Sequence, residues 1–410
     1  MIWLGNAMKI IVVGAGPSGL MCSYKLKEKG YEVILLEKNE KVAKKMYITG
    51  KGRCNITNNC TSEEFFNNVV NNPKFLYSAY NNFTSQDTME FFESRGVKLI
   101  TERGNRVYPA SYKPQNIVHC LYEANKSLGV NIKLNEPVIS IDKKENTFVV
   151  VTKKNTYEAD KVVIATGGKS YAHTGSTGDG YTFAKHFGHT IIEPVPALIT
   201  LRIKEEIPAI LQRFTFKNVS LKVITPKFKK EEFGEITFYK EGVAGATALT
   251  ISSLINRIDP KEVSIEIDFK PALDNKKLDN RVIREIQNKE NKNVKELVHK
   301  LLPKEIVDWF LKVSKIDGDL PLSNLNKNVR ENIVNSLKGF KLTYINLDDI
   351  DRAVVTSGGV STKEVNPNTL ESKITPGLYF SGEVLDVDCF TGGYNLQTAI
   401  CTGALIARKF

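Results

Sequence analysis

A chain of 410 residues, 41% hydrophobic and 25% charged, has the make-up of a water-soluble globular protein of two or three domains. It contains no apolar run near the ~20 residues that a membrane-spanning helix needs, and its six cysteines (22, 54, 60, 120, 389, 401) show no Cys-x-x-Cys or metal-ligand spacing. The net charge of +11 is spread along a Lys- and Asn-rich chain with no arginine block or basic-aromatic stripe, so it reads as a generally basic surface and no nucleic-acid partner is expected.

The opening "MIWLGNAMKIIVVGAG" has neither a basic leader nor a cleavage site, so no signal peptide is expected; Met8 is a candidate start. Reduced thiols in a cytoplasmic protein follow. Residues 10–13, Ile-Ile-Val-Val, suit a buried strand. Gly14-Ala15-Gly16-Pro17-Ser18-Gly19 then matches G-x-G-x-x-G, a helical stretch follows, and a second strand over 31–36 ends at Glu37. In that setting Gly14 permits a tight turn, Gly16 lets backbone approach a pyrophosphate, and Gly19 lets helix and strand pack closely. The diphosphate belongs at the helix N-terminus. Glu37 accepts from ribose hydroxyls and repels a 2′-phosphate, which favours FAD or NAD over NADP at this site.

Next comes "YITGKGRCNITN", residues 47–58, polar and glycine-jointed, and read as lying outside the core. A strand over 162–165 ends in Thr166-Gly167-Gly168, small residues that let backbone come close to a cofactor. The following "GGKS" is not a P-loop, because position 163 is Val where that motif needs Gly. At 193–198, "EPVPAL" reads as a proline-marked hinge into an inserted region. Alternation in "VSIEIDFKP" and in similar stretches before it predicts a barrel or curved sheet, and helical spacing after residue 290 predicts a helical cap. Near the end, a strand over 378–381 runs into Gly382-Glu383, followed by a helix from about 393 to 408. There the acid suits ribitol hydroxyls, and the helix start near 392–396 suits the N1–C2=O side of a reduced flavin. A cofactor spanning both ends of the chain is FAD rather than NAD alone.

"TGKGRCNITN", "ATGGKSY…TGSTGDGY" and "GLYFSGEVLDVDCFTGGYNLQTA" resemble the signatures of the BaiN/YhiN-like flavoproteins, from about residue 9 to the C-terminus. That family includes aminoacetone oxidase and a 3-dehydro-bile acid reductase. The resemblance implies an α/β fold, in which a two-part Rossmann-like domain binds FAD non-covalently and carries an inserted β-rich, barrel-like domain and a small helical cap. The expected division is 1–192 and 348–410 for the FAD domain, 193–275 for the β-rich insert and 276–347 for the helices. It also implies that "TGKGRCN" lies along FAD, with Lys51 or Arg53 neutralising the diphosphate and Cys54 packing as a small residue. The expected cofactor-binding set is Gly14, Ala15, Gly16, Pro17, Ser18, Gly19, Glu37, Lys38, Lys45, Gly50, Lys51, Gly52, Arg53, Cys54, Val138, Thr166, Gly167, Gly168, Gly382, Glu383, Asp386, Gly393, Asn395 and Leu396.

Two departures stand out. Tyr239 and Lys240 replace the Thr-His pair that relatives tend to show, and Cys389 stands where Gly usually follows Asp-Val-Asp.

Three activities remain open. An NAD(P)H-dependent reductase of an activated C=C bond in a small apolar substrate ranks first, with NADH or NADPH as a transient donor. A flavin amine oxidase using O₂ ranks second. An RNA-modifying flavoprotein ranks third, because it needs a contiguous basic groove that the linear order does not show. Tyr171, His173, Tyr239 and Lys240 are candidates near the chemistry, and no catalytic acid or base is assigned.

Overall fold

Short runs of β-branched and aromatic residues build the centre of the first unit. In the computed structural model, which describes residues 8–288 and 290–409, the strands Lys9–Val13, Glu32–Leu36, Lys161–Ile164 and Leu378–Phe380 bury almost all their side chains. Strands hidden on both faces favour a parallel sheet with helices over it. These four join Asn131–Lys133 in a five-stranded sheet, in the order Leu378–Phe380, Lys161–Ile164, Lys9–Val13, Glu32–Leu36, Asn131–Lys133, with every pair parallel. The N-terminal stretch preceding Met8, residues 1–7, lies outside the described residues.

Helix Pro17–Glu28 connects the first two strands and begins with proline, whose missing N–H costs nothing in a first turn. Helix Tyr394–Ile406 packs against it so closely that a Cβ on Gly403 would stand 2.3 Å from the Ser18 carbonyl oxygen. The first and last helices of the chain therefore share one interface.

The chain divides into two compact units, one made of residues up to 196 and from 350 on, the other of 197–349. Two small antiparallel sheets complete the first unit: Thr57–Asn58 with Arg106–Pro109 and Leu99–Glu102, and Val138–Lys144 with Thr147–Thr152 and Thr156–Ala159. Residues 193–198, expected as a hinge, fall largely within a strand, Ile191–Ala197, in a two-stranded sheet with Val355–Val360. Each strand of such a sheet keeps an unpaired edge. Pro194 and Pro196 lie two residues apart, so their nitrogens face the same edge of the strand, a pattern that a two-stranded sheet accommodates.

The second unit is a seven-stranded antiparallel sheet, ordered Phe340–Leu342, Ser264–Asp268, Thr215–Ile224, Lys229–Tyr239, Gly242–Ala244, Leu201–Ile203, Tyr344–Leu347. Its two edge strands are joined through Thr343 alone, so the sheet must curl until its edges meet there. Helices Asn275–Gln287, Lys304–Ser314 and Lys327–Lys338 contribute to the same core as the strands, with Phe310 and Phe340 stacked at 5.3 Å. Several of this unit's asparagines and aspartates are helix caps: Asp274, Asn293 and Asn326 accept from Lys277, Glu296 and Val329 N–H. Among the described residues no helix is long and apolar enough to cross a membrane.

Candidate flavin site

The three fingerprint glycines occupy three different environments. Gly14 has φ of 102° and passes so near the end of Lys161–Ile164 that a Cβ would lie 2.5 Å from Ala165 O. A Cβ on Gly19 would lie 1.9 Å from Gly14 O, the close strand–helix approach. Gly16 has nothing within 4 Å of where its Cβ would be, and as N-cap of Pro17–Glu28 it offers no side-chain cap. The turn therefore leaves an open space before a free helix N-terminus, the arrangement that takes a diphosphate. Ala15, Pro17 and Ser18 complete it, with Ser18 and Ser381 hydroxyls bonded at 2.5 Å.

Glu37 is buried. Its carboxylate accepts from Ala15 N–H at 2.8 Å, Asn39 N–H at 2.9 Å and Asn39 Nδ2 at 2.7 Å. Lys38 reaches Thr177, and also Asp179 at 2.8 Å. Val138 opens its antiparallel strand.

At the other end, Glu383 is the hub of a network drawn from four parts of the chain. Its carboxylate accepts from Lys45 Nζ at 3.0 Å, Ser170 Oγ at 3.1 Å and Thr356 N–H at 2.9 Å, while Lys45 also reaches Ser170 Oγ at 3.0 Å. Thr356 Oγ1 accepts from Lys169 and Ser170 N–H, and a Cβ on Gly168 would strike that hydroxyl at 2.5 Å. The turn after Lys161–Ile164 thus meets Glu383 after the neighbouring strand Leu378–Phe380, with Gly168 passing beside Thr356 and Glu383. Ser170 and Thr356 were missed; the only signal was their position two residues from a glycine pair.

The 47–58 stretch departs from expectation. Residues from Cys54 to Asn58 are buried, although most are polar. Thr57 Oγ1 donates to Gln397 Oε1 at 2.7 Å, and Asn58 Nδ2 donates to Gly104 O and Gly392 O, both at 3.0 Å. Those distant partners pull the stretch inward. Gly393, N-cap of Tyr394–Ile406 with φ of 101°, presses on it so that a Cβ would sit 2.3 Å from Thr57 O. That N-cap also lacks a side-chain cap. Asn395 clamps the preceding loop through Cys389 N–H, Cys389 O and Phe390 O, and Asp386 accepts from Asn72 at 3.0 Å. Leu396 is half-buried in the helix's first turn.

Arg53, expected to neutralise the diphosphate, has its guanidinium engaged by protein. It pairs with Glu102 at 3.1 Å and lies 4.5 Å over the Tyr108 ring. Lys51 and Gly52 are exposed, and Gly50 passes close to Asn55 N and Tyr108. Burial pushes the Cys54 and Cys389 thiols up to about 12, so both are packing groups. Tyr171 has φ of 52°, and burial raises its pKa, keeping the phenol protonated at neutral pH. His173 beside it is exposed; Tyr239 and Lys240 lie at the hairpin turn of the second unit.

Among the described residues' buried oxygens without a hydrogen-bond partner, Asn55 Oδ1, Asn58 Oδ1 and Thr166 Oγ1 belong to these segments. Buried polar atoms are rarely left so without water, an ion or a ligand to complete them. Two uncapped helix starts, the open space at Gly16 and these oxygens fit a long dinucleotide carrying a flavin.

Residues 8–409 match the family model described as "HI0933-like protein Rossmann domain". The chain belongs to this HI0933-like Rossmann family. It is similar to the 3-dehydro-bile acid delta(4,6)-reductase of Clostridium scindens, 30% identical over 98% of each chain. It is also similar to the ribosomal RNA dihydrouridine synthase of Haemophilus influenzae, 29% identical over 95% of each. In fold it is similar to the 3-ketosteroid delta1-dehydrogenase of Sterolibacterium denitrificans, with a TM-score of 0.53 at 13% identity, covering 98% of this chain and 99% of that one. The HI0933-like chain is an FAD-dependent oxidoreductase with a Rossmann-like α/β fold.

Proposed function

We propose that the protein reduces a carbon–carbon double bond conjugated to a carbonyl, drawing electrons from NADH or NADPH. One observation carries this reading: two near-full-length relatives with unlike substrates are named for the same functional-group change. A Δ4,6-diene conjugated to a 3-oxo group and the C5=C6 bond of uracil conjugated to its C4 carbonyl are both electron-poor, accepting hydride at a carbon conjugated to the carbonyl (the β-carbon, or the δ-carbon of the diene) while a proton is added to the resulting enolate.

Bound FAD supplies the hydride chemistry. The chain's residues hold and polarise. Gly14, Gly16 and Gly19 shape the diphosphate seat, and Glu37 stands where the adenosine ribose would lie. The Glu383 network fixes the 166–170 turn at the other end. The free N-terminus of Tyr394–Ile406 stabilises negative charge developing beside it. Tyr171, protonated at neutral pH, can donate a proton.

Of the two acceptor classes, the uracil ring of RNA is favoured by two cation-bearing, acid-free segments, 41–60 and 103–113, which strand pairing brings together to attract a polyanion. A steroidal enone is the second reading, supported by the bile-acid relative. The test is anaerobic mixing of the yellow protein with NADH and, separately, NADPH, followed by addition of a 3-oxo-4-ene steroid or of unmodified ribosomal RNA. Bleaching of the visible band and its recovery with either acceptor supports the reading. No bleaching, with turnover of small amines in air, overturns it in favour of an oxidase.

A further inference from the structure

We propose that the face formed by residues 47–54 and by the sheet of Thr57–Asn58, Arg106–Pro109 and Leu99–Glu102 binds RNA, with the Tyr112 ring as a platform for a base flanking the one reduced. The inference rests on the uracil reading above.

Folding assembles a charge that the linear order hides. Positions 41–60 carry Lys41, Lys44, Lys45, Lys51 and Arg53 with no acid, and positions 103–113 carry Arg103, Arg106 and Lys113 with no acid. The two segments are joined by the pairings Thr57↔Val107 and Asn58↔Arg106, and by Asn59 N–H donating to Asn105 O at 2.7 Å. Lys51, Arg103 and Lys113 are exposed on this face. The acid that ends the hairpin's first strand, Glu102, is already used: its Oε1 accepts from Arg53 at 3.1 Å and from the Tyr112 hydroxyl at 2.7 Å. Lys44 pairs with Glu40 and Lys45 with Glu383, which leaves Lys51, Arg103 and Lys113 facing solvent outside those ion pairs.

Tyr112 is a fixed aromatic within this field. It is 39% exposed, with φ of 56°, a left-handed backbone uncommon for so bulky a residue. Glu102 anchors its hydroxyl, and the Arg53 guanidinium lies 5.3 Å from its ring centre. Single-stranded nucleic acid is held by this combination of cations along the backbone and aromatic or guanidinium planes under the bases.

The hairpin whose Glu102 anchors Tyr112 adjoins the flavin end of the site through its tip. Asn58 Nδ2 ties Gly104 O, at the hairpin tip, to Gly392 O, just before the last helix. Its Oδ1 is buried without a partner. A strand stacked on Tyr112 would have its next base beside that region.

The test uses the FAD-loaded full chain and a fluorescein-labelled, uridine-rich single-stranded RNA, with affinity read by anisotropy over a salt series. Tyr112→Ala should weaken binding about tenfold, whereas Tyr112→Phe, which keeps the ring, should stay within about twofold. Arg103→Ser with Lys113→Ser should lower the slope of log affinity against log salt by about 1.4, roughly 0.7 for each phosphate that is no longer neutralised. Removing the same charge from the second unit, Lys276→Ser with Lys312→Ser, should leave the slope unchanged. Flavin absorbance and melting temperature establish that each variant is folded.

Wild-type affinity in both Tyr112→Ala and the Arg103/Lys113 pair overturns the surface. So does a wild type that does not bind the RNA, or one that binds polyglutamate as tightly as RNA. Steroid reduction without RNA binding would overturn the surface and leave conjugated-alkene reduction standing. Tyr112-dependent RNA binding without dihydrouridine formation would uphold the surface and remove the uracil reading.

Discussion

Replacing Glu383 by alanine tests whether the flavin-end network is held by the protein before any cofactor arrives. The carboxylate is the shared acceptor for Lys45 Nζ, Ser170 Oγ and the Thr356 N–H. Ser170 and Thr356 are fully buried, and the Lys45 and Glu383 side chains are 19% and 22% exposed. Breaking a buried pair by removing one partner costs about 3–5 kcal/mol; residual exposure of this pair reduces that to about 2–4 kcal/mol. For a domain of this size about 1 kcal/mol moves Tm by about 2–4 °C, so apo Glu383→Ala should melt roughly 5–10 °C below wild type. Glu383→Gln keeps an acceptor for Thr356 N–H and loses only the charge, so it should fall between the two. The assay is calorimetry of flavin-stripped protein. An apo Glu383→Ala protein melting within about 1 °C of wild type would refute the reasoning, because the network would then carry no net energy.

Gly16→Val and Gly19→Ala should separate cofactor binding from folding. The new side chain at 16 enters open space, so apo Tm should hold while FAD affinity drops more than about tenfold; unchanged affinity would mean that the diphosphate lies elsewhere. At 19 the new Cβ strikes Gly14 O, and a loss of about 3 kcal/mol or more should show in urea unfolding. Burial holds the His189 pKa below 6.5, so between that value and the lower native one the unfolded chain binds more protons. Stability from the neutral ring is therefore present above about pH 6.5 and fades as pH falls, and His189→Gln should flatten the Tm decline between about pH 7 and pH 5.5. Equal slopes would exclude His189 as the cause. Native thiol titration near pH 8 should find Cys54 and Cys389 unreactive, since burial pushes both to about 12, with the half-buried Cys60 modified first; rapid modification of Cys389 would put that thiol in an open site.

The fingerprint was legible because its physics is local. Three glycines within six residues answer to a turn, an open seat and a close helix, and each environment lies within one strand–helix unit. The buried strands were legible for the same reason, since a short β-branched run such as Ile10 to Val13, closed by a glycine turn, suits a strand hidden on both faces. Residues 54–58 were not. Whether an Asn or Thr is solvated or buried depends on whether another chain segment offers a matching donor or acceptor, and here the partners are Gln397 and the carbonyls of Gly104 and Gly392. Composition makes that stretch a surface loop; only long-range pairing makes it part of the interior. The same applies to Arg53, whose charge reads as free for a diphosphate until Glu102 and two tyrosines arrive from a distant hairpin. It applies in reverse to the basic face, where two stretches with ordinary charge become one field because Asn58 pairs with Arg106. Apolar pattern therefore fixes where the sheets and helices go, while polar residues take their roles from what the finished fold sets opposite them, which is why the cofactor was readable from one dimension and the assembled basic face was not.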